Sequence, residues 1–281
     1  MAITLRLKNT YTIPISIKGI IPARLTELNR GEFEKLPVQL GNQATAAAEI
    51  FDIDWKDTSD LTLRLEGDLQ TVSSIGCEME NGTIVVSGDA GDYLGCQMKG
   101  GQIEVEGSVG QYAAAEMSGG TIRVAGNASD WLAAALPGSK AGVSGGDVFV
   151  AGGAGYAAAF RMRRGNLIVQ KNVGRMLGWE MLAGTIVVGG CTQPHVGKGM
   201  VRGTIMLIST KQSENNIQCL PATFSKGGQF RPSFMQMLGK EIDFDFDFGE
   251  VDWSRNHYTM FHGDHLKGGR GEIFVPTDET S

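Results

Sequence analysis

A ten-residue phrase, Met-x-x-Gly-x-Ile-x-Val-x-Gly with tolerated swaps, recurs seven times in this 281-residue chain, and its regular spacing narrows the possible folds more than any other feature. The copies begin at Met79/Gly82, Met98/Gly101, Met117/Gly120, Val143/Gly146, Met162/Gly165, Met181/Gly184 and Met200/Gly203, at intervals of 19, 19, 26, 19, 19 and 19 residues. The single interval of 26 is one repeat carrying a seven-residue insertion around Leu136 to Gly142. Two residues past each anchoring glycine stand Ile84, Ile103, Ile122, Val148, Leu167, Ile186 and Ile205. Four past it stand Val86, Val105, Val124, Val150, Val169, Val188 and Leu207. Apolar residues with a period of two mark a strand. The positions between them, such as Thr83, Glu104 and Arg123, are mostly polar, so one face is expected inside and the other in water.

A second signal follows each strand. Gly88, Gly91 and Gly95 are echoed by Gly107/Gly110/Ala114, Gly126/Ser129/Ala133, Gly152/Gly155/Ala159 and Gly174/Gly178. Small residues stacked in this way suit corners where the backbone needs positive φ or close approach. A 19-residue unit is too short for a helix hairpin or a four-stranded propeller blade, and it lacks leucine-rich wording. The expected fold is therefore all-β: a right-handed parallel β-helix with about 19 residues per coil. Its coils would stack about 4.8 Å apart, which places Met79, Met98, Met117, Met162, Met181 and Met200 in one internal column. Both ends of such a stack would bare unpaired strand edges and need caps.

Residues 1–58 read as an N-terminal cap, with short strands and a helix-like piece from Asn29 to Leu36 ended by Pro37. Residues 59–210 hold the β-helix of seven to eight coils, the first being the degenerate stretch 61–67. Residues 211–281 form a C-terminal cap and extension with an interface loop, a short helix near Phe234 to Leu238 and a strand from Ile242 to Phe248.

A net charge of -6 offers no global field to draw nucleic acid or an anionic membrane. The apolar stretches fall far short of the roughly 20 residues that cross a bilayer, and a cytoplasmic location is expected. Cys77, Cys96, Cys191 and Cys219 include no C-x-x-C pair for zinc or an iron-sulfur cluster and are expected as free thiols. Asp243-x-Asp245-x-Asp247 resembles a calcium loop, but the loop glycine is misplaced and Ser254 stands where the closing glutamate belongs, so an amphipathic strand is the better reading. His262-Gly-Asp264-His265 has the chemistry for a metal or acid-base site, although a single H-x-x-H on a glycine-containing loop reads first as interface histidines. Arg161, Arg163, Arg164 and Arg175 gather positive charge on two neighbouring repeats, as a partner interface or an attractor of a polyanionic ligand would. No catalytic, cofactor-binding or metal-ligating residue emerges.

The repeat, with its Gly-x-x-Gly-x-x-x-Gly corners, resembles the domain shared by the C-terminal end of the glutamate synthase large subunit and the C subunit of formylmethanofuran dehydrogenase. The flanks are similar to the stand-alone C subunit: Leu36-Pro-Val-x-Leu-Gly41-Asn42 leading to Ile50-Phe-Asp-Ile53 on the N-terminal side, and an exit segment His262-Gly-Asp-His265-Leu-Lys-Gly-Gly-Arg-Gly271-Glu-Ile273 on the C-terminal side. Lys171 and Ser129 in place of corner glycines, and Gln193-Pro194-His195 at the seventh corner, depart from the pattern.

The resemblance implies a non-catalytic scaffold subunit of a one-carbon enzyme complex. The partners it implies are amidohydrolase-like, formyltransferase-like or molybdopterin-enzyme-like subunits, which would carry the metals and the methanofuran-like carrier, so this chain would hold no cofactor. Leu136-Pro-Gly, Met162-Arg-Arg-Gly165 and Met181-Leu-Ala-Gly-Thr185 look closer to the bacterial formyltransferase/hydrolase complex of methylotrophs than to the molybdenum or tungsten dehydrogenase. A β-helical enzyme of the pectate-lyase or hexapeptide-acyltransferase type would need a carboxylate or basic cluster on successive coils, or a period of 18 with a catalytic histidine. A detached glutamate-synthase-like domain would lack the exit segment.

Overall fold

The computed structural model describes residues 2–56, 61–237 and 255–277. The N-terminal part contributes β1 (Ala2–Leu7), β2 (Ile15–Ser16), α1 (Arg30–Glu34), β3 (Pro37–Leu40), β4 (Gln43–Ala46), α2 (Ala47–Ile50), β5 (Phe51–Lys56), β6 (Thr62–Glu66) and β7 (Val72–Ser73). The repeats supply β8 (Thr83–Ser87), β9 (Gln102–Val105), β10 (Thr121–Val124), β11 (Ser144–Val150), β12 (Arg164–Val169), β13 (Thr185–Val188) and β14 (Arg202–Leu207). After them come α3 (Ser213–Gln218), β15 (Ser225–Phe230), a helical turn at 234–237, β16 (Tyr258–Gly263) and β17 (Arg270–Pro276). The expected helix at 29–36 is α1. Its N-terminus is closed reciprocally, Asn29 accepting from Glu32 N at 3.1 Å and Glu32 accepting from Asn29 N at 2.9 Å.

The chain is mostly β. Thirteen strands form one mostly parallel sheet in the order β15-β16-β17-β14-β13-β12-β11-β10-β9-β8-β6-β1-β5, and β4-β3-β2-β7 form a second, small sheet. The repeat wording sets the register: Ile84 pairs with Ile103, Ile103 with Ile122, Ile122 with Val148, Val148 with Leu167, Leu167 with Ile186, and Ile186 with Ile205. The stretch 61–67 joins as β6, with Leu63 beside Ile84. Both ends of the parallel series are closed by antiparallel strands, β5 on β1 and β16 on β17, which covers the edges that would otherwise template fibre growth. The proposed strand at 242–248 and the aspartates 243, 245 and 247 lie outside the described residues.

Two strands of the parallel series were not foreseen as its members: β1, expected in the N-terminal cap, runs parallel to β6 with Leu5 beside Leu65 and extends the series at its start. β17 continues it beyond β14, with Gly203 beside Gly271 and Ile205 beside Ile273. Gly271-x-Ile273-x-Val275 is the repeat phrase again, separated from Gly203 by the whole of α3, β15 and β16.

On the far side of the repeats a second ladder of single bridges runs Leu69, Ala90, Val109, Ala128, Ala154, Val173, Thr192. Side chains reach from one repeat to the next along it: Asp89 accepts from Ser108 N at 2.7 Å, Asn127 from Gly153 N at 2.8 Å and Asn172 from Cys191 N at 3.0 Å. The irregular-looking segment after 211 ends this ladder. Asn216 on α3 accepts from Thr192 N at 2.9 Å, and His195 N donates to Cys219 O at 2.9 Å, so a helix stands where a further repeat would supply these partners.

The methionine column is internal, with all six side chains fully buried among Ile, Leu and Val. The corner glycines divide into the two anticipated kinds. Gly95 has φ +61, whereas at Gly110 φ is ordinary and a Cβ would lie 2.7 Å from Asp92 N of the preceding repeat. Gly82, Gly88, Gly101, Gly120, Gly146, Gly165, Gly178, Gly184 and Gly203 share the first condition, and Gly91, Gly107, Gly126, Gly152, Gly155 and Gly174 share the second.

The outer face of the sheet corrects one expectation. Glu104 and Arg123 do point outward as polar residues, but the same position in later strands holds Phe149, Ile168, Val187, Met206 and Phe274, all buried in a second apolar cluster with Met235 and Tyr258. The C-terminal segments therefore need an apolar bed, and the later repeats provide it in place of solvent-facing polar groups.

Candidate functional site

The exit segment is built by β16 and β17, which bring His262 beside Glu272 on one side and Ser225 of β15 on the other. The His262 ring packs on Gly227, where a Cβ would come within 3.0 Å of Nε2. His265 Nε2 is 2.9 Å from Ser225 Oγ. Between them Asp264 is buried, and its carboxylate accepts from Leu266 N and Gly199 N, both at 2.9 Å. The Asp264 carbonyl accepts from Lys267 N and Gly269 N at 2.8 and 2.9 Å. Asp264 thus staples the exit loop to the turn before Met200, and charge-assisted bonds of this kind fix geometry more than they offer chemistry. Among the described residues no group of three His, Cys, Asp or Glu is placed to hold a metal ion.

The arginine cluster separates into two kinds. Arg161 donates to Glu180 through Nε and Nη2 at 2.8 Å, to Ser139 O at 2.9 Å through Nη1, and lies over the Phe160 ring at 4.9 Å. It fastens the insertion to the repeats. Glu116 holds the same insertion from the other side, accepting from Leu136 N at 3.2 Å and from Gln97 at 2.9 Å. Burial works to raise the Glu116 carboxyl, but the bonds from Ser139, Gln97 and Leu136 prevail and hold it below the ordinary carboxylate range. Arg163, Arg164 and Arg175 are exposed and form no ion pair among the described residues, which leaves them available to a partner.

Beside the insertion lies a feature that sequence reading missed. Tyr93, Tyr112 and Trp131 stack in register, with ring centroids 5.3 and 5.9 Å apart and planes within 4°. Tyr156 and Phe160 meet Trp131 edge-on at 5.2 and 5.7 Å, and Trp179 lies 4.7 Å from Phe160. The rings are partly exposed, forming an aromatic stripe with Arg161 over its Phe160 ring. The 19-residue spacing of Tyr93, Tyr112 and Trp131 was the available signal.

A shallow cleft of about 440 Å³ near the N-terminus is lined by Arg6, Lys8, Arg30, Glu34, Asp52 and Trp55. Its charges are matched within the fold, Arg30 to Glu34 at 2.8 Å, Lys8 to Asp52 at 3.7 Å and Arg6 to Glu66 at 2.6 Å. No helix of the described residues is long and apolar enough to cross a membrane.

No family model matches the chain. It is 31% identical over 90 residues to the C subunit of the tungsten-containing formylmethanofuran dehydrogenase 2 of Methanococcus maripaludis, covering 32% of this chain and 33% of that one. It is 35% identical over 84 residues to the C subunit of the molybdenum-containing formylmethanofuran dehydrogenase 1 of Methanothermobacter thermautotrophicus, covering 30% and 21%. These alignments span a third or less of the curated relatives' length. The likeness to a solved structure runs the full length. A chain in the crystal structure of the formyltransferase/hydrolase complex (FhcABCD) from Methylorubrum extorquens, in complex with methylofuran, matches with a TM-score of 0.86 and 30% identity over 98% of this chain and 100% of that one. From the repeat, the strand order it sets and this full-length likeness, the chain belongs to the family of formylmethanofuran dehydrogenase C subunits.

Proposed function

We propose that the chain is a non-catalytic structural subunit of a bacterial-type formyltransferase/hydrolase complex, which moves formyl groups between tetrahydromethanopterin and a methanofuran-like carrier and releases formate. Its two ladders wind as a right-handed parallel β-helix over 59–210, between caps at 1–58 and 211–281. Partner subunits of amidohydrolase and formyltransferase type carry the metals and the carrier. The observation that carries this reading is the full-length likeness to a chain of such a complex, over 98% of this chain and 100% of that one at 30% identity. It is supported by the fate of the residues with catalytic chemistry: Asp264 and Arg161 are committed to holding loops in place. The exposed aromatic stripe and the exposed Arg163, Arg164 and Arg175 suit a large interface, where Tyr, Trp and Arg are the commonest anchors.

The second reading, a subunit of a molybdenum or tungsten dehydrogenase, is favoured by the named relatives. Affinity purification of the tagged chain from its native host, with mass spectrometry and a formyl-transfer assay on the eluate, separates the two. Amidohydrolase-like and formyltransferase-like partners are expected. A molybdopterin subunit would favour the dehydrogenase, and recovery of the chain alone would overturn both.

A further inference from the structure

We propose that Cys77 and Cys96 form a peroxide-sensitive dithiol, a modification site at which a hydroperoxide joins two neighbouring repeats through a disulfide. The two residues occupy the same position in successive repeats, each two residues before a buried methionine of the internal column. Hydrogen bonds bracket them on both sides: Gly95 N to Ile75 O at 2.8 Å, Glu78 N to Cys96 O at 2.9 Å and Lys99 N to Met79 O at 2.8 Å. Backbones so paired run about 4.8 Å apart, inside the window of roughly 4.4 to 6.8 Å between Cα atoms that a disulfide tolerates. Both thiols lie outside the main core in a small cluster with Ala115, against Tyr112 and Leu136. Ala115 takes the next position in the ladder, so the pair has no third thiol beside it.

The surroundings distinguish the two sulfurs. The Cys96 thiol donates to the Cys77 sulfur and holds Cys77 below the ordinary thiol range, and the Lys18 ammonium, which is 2.9 Å from Glu78, works in the same direction against burial. Cys96 is pushed up by that same hydrogen bond and by burial. With the Lys18 ammonium held next to it by the neighbouring Glu78, Cys77 serves in this proposal as the attacking thiolate and Cys96 as the resolving thiol. Exposures of 6% and 5% admit a small hydroperoxide and exclude a bulky disulfide. The Cys77 thiolate attacks one oxygen of hydrogen peroxide, the O–O bond breaks, and hydroxide leaves. Cys77 is then a sulfenic acid, oxidised by two electrons. The Cys96 sulfur attacks it, the S–O bond breaks, and the Cys96 proton leaves with the hydroxyl as water. Cys219 is differently placed, its buried thiol donating to Thr192 O at 3.2 Å.

The test treats the purified full-length chain with hydrogen peroxide, blocks remaining thiols and maps peptides without reduction. The expected result is a linked pair of peptides containing Cys77 and Cys96, lighter by two hydrogens and separated by dithiothreitol. In Cys96→Ala, which copies the alanine already found at position 115, Cys77 should accumulate as a sulfenic acid trapped by dimedone. Cys77 and Cys96 that both stay alkylatable while Cys191 is oxidised would overturn the proposal.

Discussion

Gly120 and Gly138 have nearly the same backbone, φ +88 and +87, in opposite surroundings, so replacing each by alanine separates conformational strain from packing. At Gly138 a Cβ would meet nothing within 4 Å. Only the left-handed backbone resists it, at about 1–2 kcal/mol. At Gly120 the same Cβ would lie 2.6 Å from the Met98 methyl, 2.7 Å from Gly101 O and 2.9 Å from Gly100 C. The methionine end can swing away, but the two backbone atoms belong to the preceding repeat and are fixed by Gln102 N and Thr121 N, whose bonds to Gly82 O and Gly101 O measure 3.0 Å each. Overpacking of this kind adds about 1–3 kcal/mol, for a total of roughly 2–5 kcal/mol at Gly120. In thermal terms Gly120→Ala should lose on the order of 10 °C and Gly138→Ala only a few degrees. Urea denaturation followed by circular dichroism gives the midpoints. Equal losses in the two variants would refute the claim that the close approach of the preceding repeat's backbone, rather than φ alone, demands glycine at the anchor.

Met117→Ala removes a fully buried side chain from the internal column and should cost about 2–5 kcal/mol in the same denaturation experiment. Asp264→Ala strands the Leu266 and Gly199 amide groups and should cost roughly 2–4 kcal/mol, with new proteolytic cleavage in the loop 264–269. Glu116, whose folded pKa lies below its ordinary value of 4.5, contributes stability that is full above 4.5 and lost as pH falls through the folded value. Glu116→Gln should therefore flatten part of the acid side of the melting-temperature profile below about pH 5. Arg163→Glu with Arg164→Glu should change stability by less than about 0.5 kcal/mol yet reduce recovery of partner subunits on affinity purification.

The repeat was legible because three of its demands fall on different residue types at the same spacing: methionine inside, glycine at the turn into the strand, and Ile or Val on the strand's inner face. Burial on one face and contact between successive copies force each of these. The outer face was misread because only two copies, with Glu104 and Arg123, are polar there, while the first holds Val85. From Phe149 onward the position is apolar, since Met235, Tyr258 and Phe274 cover it. β17 was missed as a continuation because pairing between Gly203 and Gly271 spans a long excursion that local periodicity does not see. For the same reason the antiparallel closure by β5 and β16 carried no sequence signal. At the candidate site, the exit motif was visible as His262, Asp264 and His265, but not its use: the partner of Asp264 is Gly199, which lies 65 residues away. The aromatic stripe was periodic and in view, but Tyr93, Tyr112 and Trp131 sit between the corner residues at positive φ, where bulky side chains are uncommon, and nothing in the local pattern marks them as stacked.

The most direct test of a structural role is to co-express the partner subunits with and without this chain and to measure both assembly and formate release. A structural subunit predicts that omitting the chain abolishes the assembled complex, that restoring it recovers formate release, and that the chain alone releases none. Formate released from a formylated carrier by the purified chain alone would contradict it, as would a complex that assembles and turns over at the full rate without it.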